Sequence, residues 1–253
     1  MGILEKFNLH HSSPFRRVRY LLLIHLMRTP GMSSGKHCIQ NELIDWITKS
    51  DFILDCARTR PLQDLFMTGV VLIGGKSERF GSDKVLSRFK GKPLIDHVVD
   101  TIQPLFDEII LIGHKRKGLE NFRVIEDIKP GCGPLGGIYT ALMTTDAEYC
   151  FVCATDMPNL NAGLISHMIS QADGHDIVMP MWSKGREPLH AIYRRSVIPY
   201  AASLLDQNIF RIFALIEKVD NLFIPEGIIR LYGDPAVLFS NINTQHDMLR
   251  ITS

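Results

Sequence analysis

From residue 67 onward, short apolar stretches alternate with stretches of helical periodicity, and this alternation constrains the fold more than any other feature. The apolar stretches contain few polar residues, which is typical of parallel strands that helices cover on both faces. We therefore predict an α/β fold of three layers with a mostly parallel central sheet. The predicted strands cover residues 69–73, 108–112, 122–125, 149–154, 177–181, 189–193 and 238–242, and the predicted helices cover 93–105, 134–143, 164–171, 196–205 and 210–219.

The composition argues against nucleic acid or membrane as a partner and against a secreted protein. Lys and Arg total 28 and Asp and Glu total 27, so the net charge of +1 provides no field for nucleic acid or anionic lipid. Five cysteines are an odd number, which argues against a secreted disulfide scaffold and favours a reducing, cytoplasmic compartment. The apolar run at residues 20–26 is far shorter than the roughly 20 residues that span a bilayer. We therefore expect a cytoplasmic protein with no nucleic-acid or membrane partner.

A glycine-rich loop follows the first predicted strand. Residues 69–84 read GVVLIGGKSERFGSDK, so Gly74 and Gly75 come at the end of the strand and the cations Arg79 and Lys84 follow. Glycines let a backbone approach a phosphate chain, and Arg and Lys neutralise its charge. The loop is not a Walker A motif, because its first glycine is one position out of register. The pattern favours a site for a nucleoside triphosphate over a solvated basic turn.

A carboxylate follows the strand predicted at residues 149–154. In the segment TDMP, Asp156 comes just past the strand and Pro158 stops it. A carboxylate at this edge of a parallel sheet suits a magnesium ion that bridges phosphates, and a turn or N-cap aspartate is the alternative. Cys150 and Cys153 occupy strand positions that face opposite sides. We therefore expect two buried thiols rather than a redox pair or a zinc site.

Three further segments carry weaker signals. Residues 131–137 read GCGPLGG, which fits either a dinucleotide-binding fingerprint, with Asp156 about twenty residues beyond it, or a loop and helix start whose backbone contacts substrate. We favour the second interpretation, because in a dinucleotide-binding fold the first glycine directly follows the strand, whereas here residues 127–130 intervene before Gly131. His190 stands among apolar neighbours, where a lone histidine is more often structural than chemical. Asn241 and Asn243 share one face at the end of the last predicted strand, where they either contact a polar substrate or cap a helix.

The ordered set of motifs resembles that of the molybdenum cofactor guanylyltransferases, which are nucleotidyltransferases with a Rossmann-like sheet. The resemblance covers about residues 67–250. Besides the glycine-rich loop, it rests on GKPL at residue 91, ED at 126, GPLGGI at 133, TDMP at 155, PLHAIY at 188 and NINT at 241. The implied fold is a three-layer, Rossmann-like nucleotidyltransferase fold.

The resemblance also implies a reaction and a set of residues. A GMP unit passes from GTP to molybdopterin carrying molybdenum and pyrophosphate leaves, with Mg²⁺ as cofactor and molybdoenzyme-maturation proteins as candidate partners. Residue chemistry and resemblance together give catalytic roles to Lys84, Arg79 and Asp156, with Asp156 also on the metal. The predicted substrate- and cofactor-binding residues are Leu72, Ile73, Gly74, Gly75, Lys84, Asp127, Gly133, Pro134, Leu135, Asp156, His190, Asn241 and Asn243.

Three alternative functions stay open at this point. A cytidylyltransferase that acts on molybdopterin, or on a sugar or isoprenoid phosphate, would use the same scaffold. A NAD-dependent oxidoreductase would rest on residues 131–136 alone. A non-enzymatic carrier of the pterin would not need both Lys84 and Asp156.

The domain organisation follows from where the alternation begins. Residues 1–66 contain apolar clusters but no regular succession of strands and helices. We therefore predict that residues 1–66 are an N-terminal extension of unknown role and that residues 67–253 form the nucleotidyltransferase domain.

Overall fold

A computed structural model of the chain describes residues 66–74, 84–242 and 247. All of these residues belong to one compact unit of the chain, Thr59–Ser253. The strands are β1 Met67–Leu72, β2 Arg88–Phe89, β3 Lys92–Pro93, β4 Glu108–Ile112, β5 Arg123–Ile125, β6 Tyr149–Ala154, β7 Ile177–Trp182, β8 Gly185–Arg186, β9 His190–Arg194 and β10 Asn221–Pro225. The α-helices are α1 Leu94–Ile102, α2 Gly133–Thr144, α3 Ala162–Ser170, α4 Ile198–Asp206, α5 Ile212–Ile216, α6 Glu226–Ile229 and α7 Pro235–Leu238.

The central sheet has the strand order β10-β7-β9-β6-β1-β4-β5, with β8 paired to β7. Strand β1 is parallel to both β4 and β6, β4 is parallel to β5, and β10 is parallel to β7. Only β9, between β6 and β7, and the short β8 are antiparallel to their neighbours in this described sheet. The prediction of an α/β fold with a mostly parallel sheet is confirmed. A separate small hairpin joins β2 and β3.

Two apolar layers cover the sheet, one on each face. Every residue of β1 is buried, so its successive side chains pack against opposite layers. Val71 packs in one layer with Ile95 of α1 and Leu164 of α3, whereas Val70 packs in the other with Ile138 of α2. Each such buried aliphatic side chain contributes roughly 1.5–3 kcal/mol relative to exposure. The continuous apolar strands are therefore explained by burial on both faces.

Several predicted elements differ from the structure at their ends. The strands predicted at 108–112 and 149–154 coincide with β4 and β6. The helix predicted at 93–105 ends earlier, at Ile102, and a 3₁₀ turn continues over Gln103–Leu105. Pro104 sits in that turn and lacks the N–H that an α-helix would need there. The helix predicted at 210–219 covers only Ile212–Ile216.

The last predicted strand, at residues 238–242, is wrong. Residues Pro235–Leu238 form α7 instead, and Asp234 accepts a hydrogen bond from the backbone N–H of Ala236. An aspartate N-cap followed by proline at the first helical position is a helix-start signal, and it decides the conformation here. Residues 239–242 follow α7 without belonging to a strand. Strand β10, by contrast, has no counterpart among the predicted strands.

The described chain contains no helix that is long and apolar enough to cross a membrane. The proposed boundary near residue 67 stays a prediction. It is consistent with the position of β1, which begins at Met67 and occupies the middle of the sheet.

Candidate active site

The carboxyl ends of β1 and β6 bring together the two best-supported motifs. These strands are parallel neighbours, and Leu72 is the register partner of Ala154. Gly74 and Asp156 each lie two residues beyond those positions, at the same edge of the sheet. Thr155 extends the pairing, because its N–H and its hydroxyl both donate to the carbonyl of Leu72, at 3.3 and 3.2 Å. The glycine-rich loop therefore leaves the sheet directly beside the TDMP segment.

Lys84 and Asp156 form an ion pair at this edge. The ammonium Nζ of Lys84 donates to Oδ2 of Asp156 at 2.9 Å, across 72 positions of sequence. The two side chains are only 19% and 23% exposed, so water screens the pair less than it screens a surface pair. The structure thus brings together two of the three residues that were predicted to be catalytic. The third, Arg79, lies outside the described residues, as does Gly75.

The carboxylate of Asp127 lies between two glycine backbones. A Cβ atom built on Gly74 would be 3.8 Å from Oδ2 of Asp127, and one on Gly137 would be 3.7 Å from Oδ1. Burial raises the pKa of Asp127, and the nearby imidazole of His114 partly opposes that rise. A half-buried carboxylate beside the glycine-rich loop is a hydrogen-bond acceptor suited to the N–H or hydroxyl groups of a nucleoside.

The loop after β4 contacts Ile73 and Gly74, the residues with which the glycine-rich loop leaves β1. Gly113 has a φ of +142°, and a Cβ atom there would lie 2.8 Å from the backbone nitrogen of Gly74. Only glycine permits this approach. Arg116 donates from its guanidinium to the carbonyl of Ile73 at 3.1 Å. Neither residue is among those predicted from the sequence, although a glycine directly after a predicted strand is a usable signal for Gly113.

The buried side chains near the loop restrict how a nucleotide can be bound there. Leu72 and Ile73 are buried in opposite apolar layers, so any contact they make with a ligand uses the backbone. Leu135 is also fully buried, as part of the core beneath the first turn of α2. Gly133 begins that helix with a φ of +62° and Pro134 follows it, which leaves backbone N–H groups at the helix start as the available donors. Ligand binding by these residues stays a prediction.

His190 is placed in a packed environment. Its ring is 1% exposed and lies 5.3 Å, centroid to centroid, from both Phe151 and Phe239. Burial lowers the pKa of His190 to about 3, so the ring is neutral at physiological pH. Neither ring nitrogen has a hydrogen-bond partner among the described residues. This environment favours a packing role for His190, and its predicted contact with substrate stays a prediction.

The NINT segment is joined to the TDMP segment by a backbone hydrogen bond. The N–H of Ile242 donates to the carbonyl of Asp156 at 2.9 Å, which places the neighbouring Asn241 close to the TDMP segment. The side chain of Asn241 is exposed. Asn243 lies outside the described residues, so its predicted role stays a prediction.

The two cysteines of β6 are buried on opposite faces of the sheet, as predicted. Cys150 packs in the layer of α2 and Cys153 in the layer of α1. Burial raises the pKa of Cys150 to about 12 and also raises that of Cys153, so both thiols stay protonated at neutral pH. This arrangement does not suit a redox pair or a zinc site.

The glycines of GCGPLGG do not form a dinucleotide fingerprint. Strand β5 ends at Ile125, and the segment around Asp127 intervenes before Gly131. In a dinucleotide-binding fold the first glycine belongs to the turn that directly follows the strand. The oxidoreductase alternative therefore loses its structural support.

The carboxylate of Asp156 suits a magnesium ion whose other ligands would include oxygens of the substrate. No group of three or more His, Cys, Asp or Glu side chains that could hold a metal occurs in the described part of the chain. An all-protein metal cage is thus absent from that part. Mg²⁺ is commonly bound by one or two carboxylates together with substrate phosphates, and Asp156 can provide one such carboxylate.

Comparison with known proteins agrees with the geometry. Residues 69–221 match the family described as the MobA-like NTP transferase domain. A protein from Thermococcus gammatolerans named probable molybdenum cofactor guanylyltransferase is 36% identical over 191 residues, which cover 72% of this chain and 97% of the relative. A protein of the same name from Peptoclostridium acidaminophilum is 30% identical over 195 residues, covering 74% and 88%.

A solved structure shows the same likeness. The crystal structure of molybdopterin-guanine dinucleotide biosynthesis protein A from Archaeoglobus fulgidus matches with a TM-score of 0.64 at 27% identity, over 73% of this chain and 96% of that one. The family match covers more than half of the chain, and the relatives are matched over most of their length. The chain therefore belongs to the MobA-like NTP transferase family, and its relatives there are named molybdenum cofactor guanylyltransferases.

Proposed function

We propose that this chain transfers GMP from GTP to molybdopterin carrying molybdenum, with release of pyrophosphate. The observation that carries the proposal is the ion pair of Lys84 and Asp156 beside Gly74, at the carboxyl ends of two neighbouring parallel strands. Ligands of open α/β sheets bind at this edge. The names of the relatives support the guanine nucleotide and the molybdenum cofactor.

The reaction needs positioning and charge neutralisation more than proton transfer. The terminal phosphate of the pterin attacks the α-phosphorus of GTP, a new phosphorus–oxygen bond forms, and the bond to the pyrophosphate oxygen breaks. A phosphate nucleophile is already ionised at pH 7, so no general base is required. The protein then contributes in-line orientation of the two phosphates and stabilisation of the charge that develops between them.

The residues at the sheet edge divide this work. Lys84 is a point charge on the triphosphate, and Asp156 would hold Mg²⁺, which when bound supplies positive charge to the phosphate oxygens. Lys84 also pairs with the carboxylate of Asp156 at 2.9 Å, which holds that carboxylate at the sheet edge. In this proposal the glycine-rich loop, whose first residues Ile73 and Gly74 are contacted by Gly113 and Arg116, would offer backbone N–H groups to the phosphates, and Arg79 would add a cation.

The nucleoside lies on the β4 and β5 side of the site in this proposal. Asp127 is the acceptor there, because its half-buried carboxylate adjoins Gly74 and Gly137. Guanosine offers hydroxyl and N–H donors that a carboxylate can bind. The cytidylyltransferase alternative is not favoured, since the relatives described above are named guanylyltransferases. A cytoplasmic location and transfer of the product to molybdoenzyme-maturation proteins belong to the same proposal.

A thermal-shift panel tests the choice of nucleotide. With magnesium present, we expect GTP to raise the melting temperature more than CTP, ATP, UTP or NAD at equal concentration, because a ligand that binds the native state stabilises it, and at equal concentration the tighter ligand stabilises it more. A shift with CTP that equals or exceeds the shift with GTP would contradict the guanine assignment. A shift with NAD and with none of the nucleoside triphosphates would contradict both guanylyl transfer and cytidylyl transfer.

A further inference from the structure

A cluster of aromatic and charged side chains lies at the end of β7. The indole Nε1 of Trp182 donates to Oε1 of Glu187 at 2.7 Å. The ring of Trp182 lies 5.8 Å from that of Phe239 at an interplanar angle of 47°, and Phe239 in turn contacts His190. The ammonium of Lys184 lies 5.2 Å from the centre of the Trp182 ring. We call Trp182, Lys184, Glu187 and Phe239 the Trp182 cluster.

The sheet places the Trp182 cluster at the same edge as the ion pair. β9 runs antiparallel to β6, with His190 opposite Cys153. Glu187 lies three residues before His190, and Asp156 lies three residues after Cys153, so both leave the sheet at this edge. The segment after Phe239 is also anchored there, because the N–H of Ile242 bonds the carbonyl of Asp156.

The strand order separates two halves of the site. β1 and β6 are central, with β4 and β5 on one side and β9 and β7 on the other. Asp127, the residue proposed to bind guanosine, follows β5, whereas the Trp182 cluster adjoins β7 and β9. A molecule that attacks the α-phosphorus of a nucleotide held on the β4 side can therefore occupy the β7 side.

Glu187 combines a half-buried carboxylate with unused capacity to accept hydrogen bonds. Its carboxylate is half-buried, and burial raises the pKa of Glu187 while the bond from Trp182 partly opposes that rise. Oε1 accepts the indole N–H, and within the described residues Oε2 accepts no hydrogen bond from the protein. An ionised carboxylate has about four acceptor sites, so Glu187 retains acceptor capacity beside the ring of Trp182.

We propose that Glu187 and Trp182 bind the pterin ring of the acceptor and set the enzyme's preference for it. A pterin presents its ring N–H and its 2-amino group side by side, and this pair of donors matches the two oxygens of one carboxylate. Trp182, which is only partly buried, provides a flat surface for the ring, and Lys184 adds positive charge suited to an acceptor that carries a phosphate. This inference rests on the proposed function, because it assigns the acceptor half of the same site.

The test compares Glu187→Gln with a neighbouring control. Glutamine keeps an oxygen for the indole of Trp182 but places N–H donors where the pterin needs acceptors. We expect the dissociation constant for molybdopterin, measured anaerobically by calorimetry, to rise at least about tenfold, in line with the loss of a charge-assisted pair of hydrogen bonds. Glu226→Gln is the control, because Glu226 accepts from the N–H of Ser183 next to Trp182 and lies outside the proposed site. It should bind molybdopterin as the unmodified chain does.

A second measurement uses the ligand rather than the protein. Displacement of molybdopterin by 6-hydroxymethylpterin should be stronger than displacement by 6-hydroxymethyllumazine, which has an oxygen in place of the 2-amino group. We expect Glu187→Gln to abolish this preference.

Equal displacement by the two compounds in the unmodified chain, or an unchanged dissociation constant in Glu187→Gln, would overturn the inference. The GTP-induced thermal shift is measured on the same samples. If GTP stabilises the unmodified chain and the pterin preference is missing, the inference fails and the proposed function stands.

Discussion

Asp156→Asn is expected to lower guanylylation of molybdopterin by at least about 10²-fold, the loss typical of removing one well-placed electrostatic contact at a reacting centre. The substitution keeps the size of the side chain and leaves intact the backbone carbonyl that Ile242 binds. What it removes is the negative charge that pairs with Lys84 and that would hold the metal. Because that charge matters most as electrons move onto the leaving oxygens, the loss should appear chiefly in kcat.

A matched control separates this effect from a loss of stability. Arg123 and Glu108 form an ion pair at the amino ends of β5 and β4, at the opposite edge of the sheet from Asp156. Glu108→Gln should leave turnover within about twofold, since exposed pairs contribute little. Circular dichroism should show both variants folded. Near-normal turnover of Asp156→Asn at limiting magnesium would mean that the aspartate is a turn residue only.

Lys84→Met is expected to weaken GTP binding as well as turnover. The ammonium neutralises phosphate charge before the reaction begins, so part of its contribution is made equally in the ground state and in the transition state. We expect the dissociation constant for GTP to rise roughly 10- to 100-fold, the range expected for one charge-assisted hydrogen bond. The measurement is a GTP titration followed by calorimetry, with steady-state kinetics on the same preparation.

The control for Lys84 is Arg123→Met, which removes a cation from the opposite edge of the sheet. That variant should bind GTP as the unmodified chain does. The contrast between the two site variants is also informative, because Asp156→Asn should change kcat more than GTP affinity, whereas Lys84→Met should change both. GTP affinity of Lys84→Met equal to that of the unmodified chain would remove the lysine from the triphosphate site.

The fold could be predicted largely from the continuous apolar runs in the sequence, which indicate strands buried on both faces. Strands such as β4 and β6 are continuous apolar runs, and such runs occur where helices cover both faces of a sheet. Strand direction could not be predicted in the same way. β9 is apolar like its neighbours but runs antiparallel between β6 and β7, because its path depends on the turn that precedes it. The strand predicted at 238–242 is wrong because that segment is apolar like a strand, whereas the Asp234–Pro235 helix start upstream places Leu238 at the end of α7.

The site was partly predictable, because its residues come from strand ends. Asp156 and Asp127 follow predicted strands, and topology alone indicates that such residues meet. Other contributions come from tertiary contacts that local sequence does not encode. The ion pair joins Lys84 to a residue 72 positions away, and Arg116 reaches the carbonyl of Ile73 across 43 positions. The bond between Trp182 and Glu187 depends on the β7–β8 turn that brings them together.

The most direct test of the central claim is identification of the product. The chain is incubated anaerobically with magnesium, molybdopterin carrying molybdenum, and an equimolar mixture of GTP and CTP, and the products are identified by mass spectrometry. Our account predicts the guanine dinucleotide of the cofactor, one pyrophosphate for each product formed, and loss of both when Asp156→Asn replaces the unmodified chain. Formation of the cytosine dinucleotide in preference, or release of pyrophosphate without any dinucleotide, would contradict it.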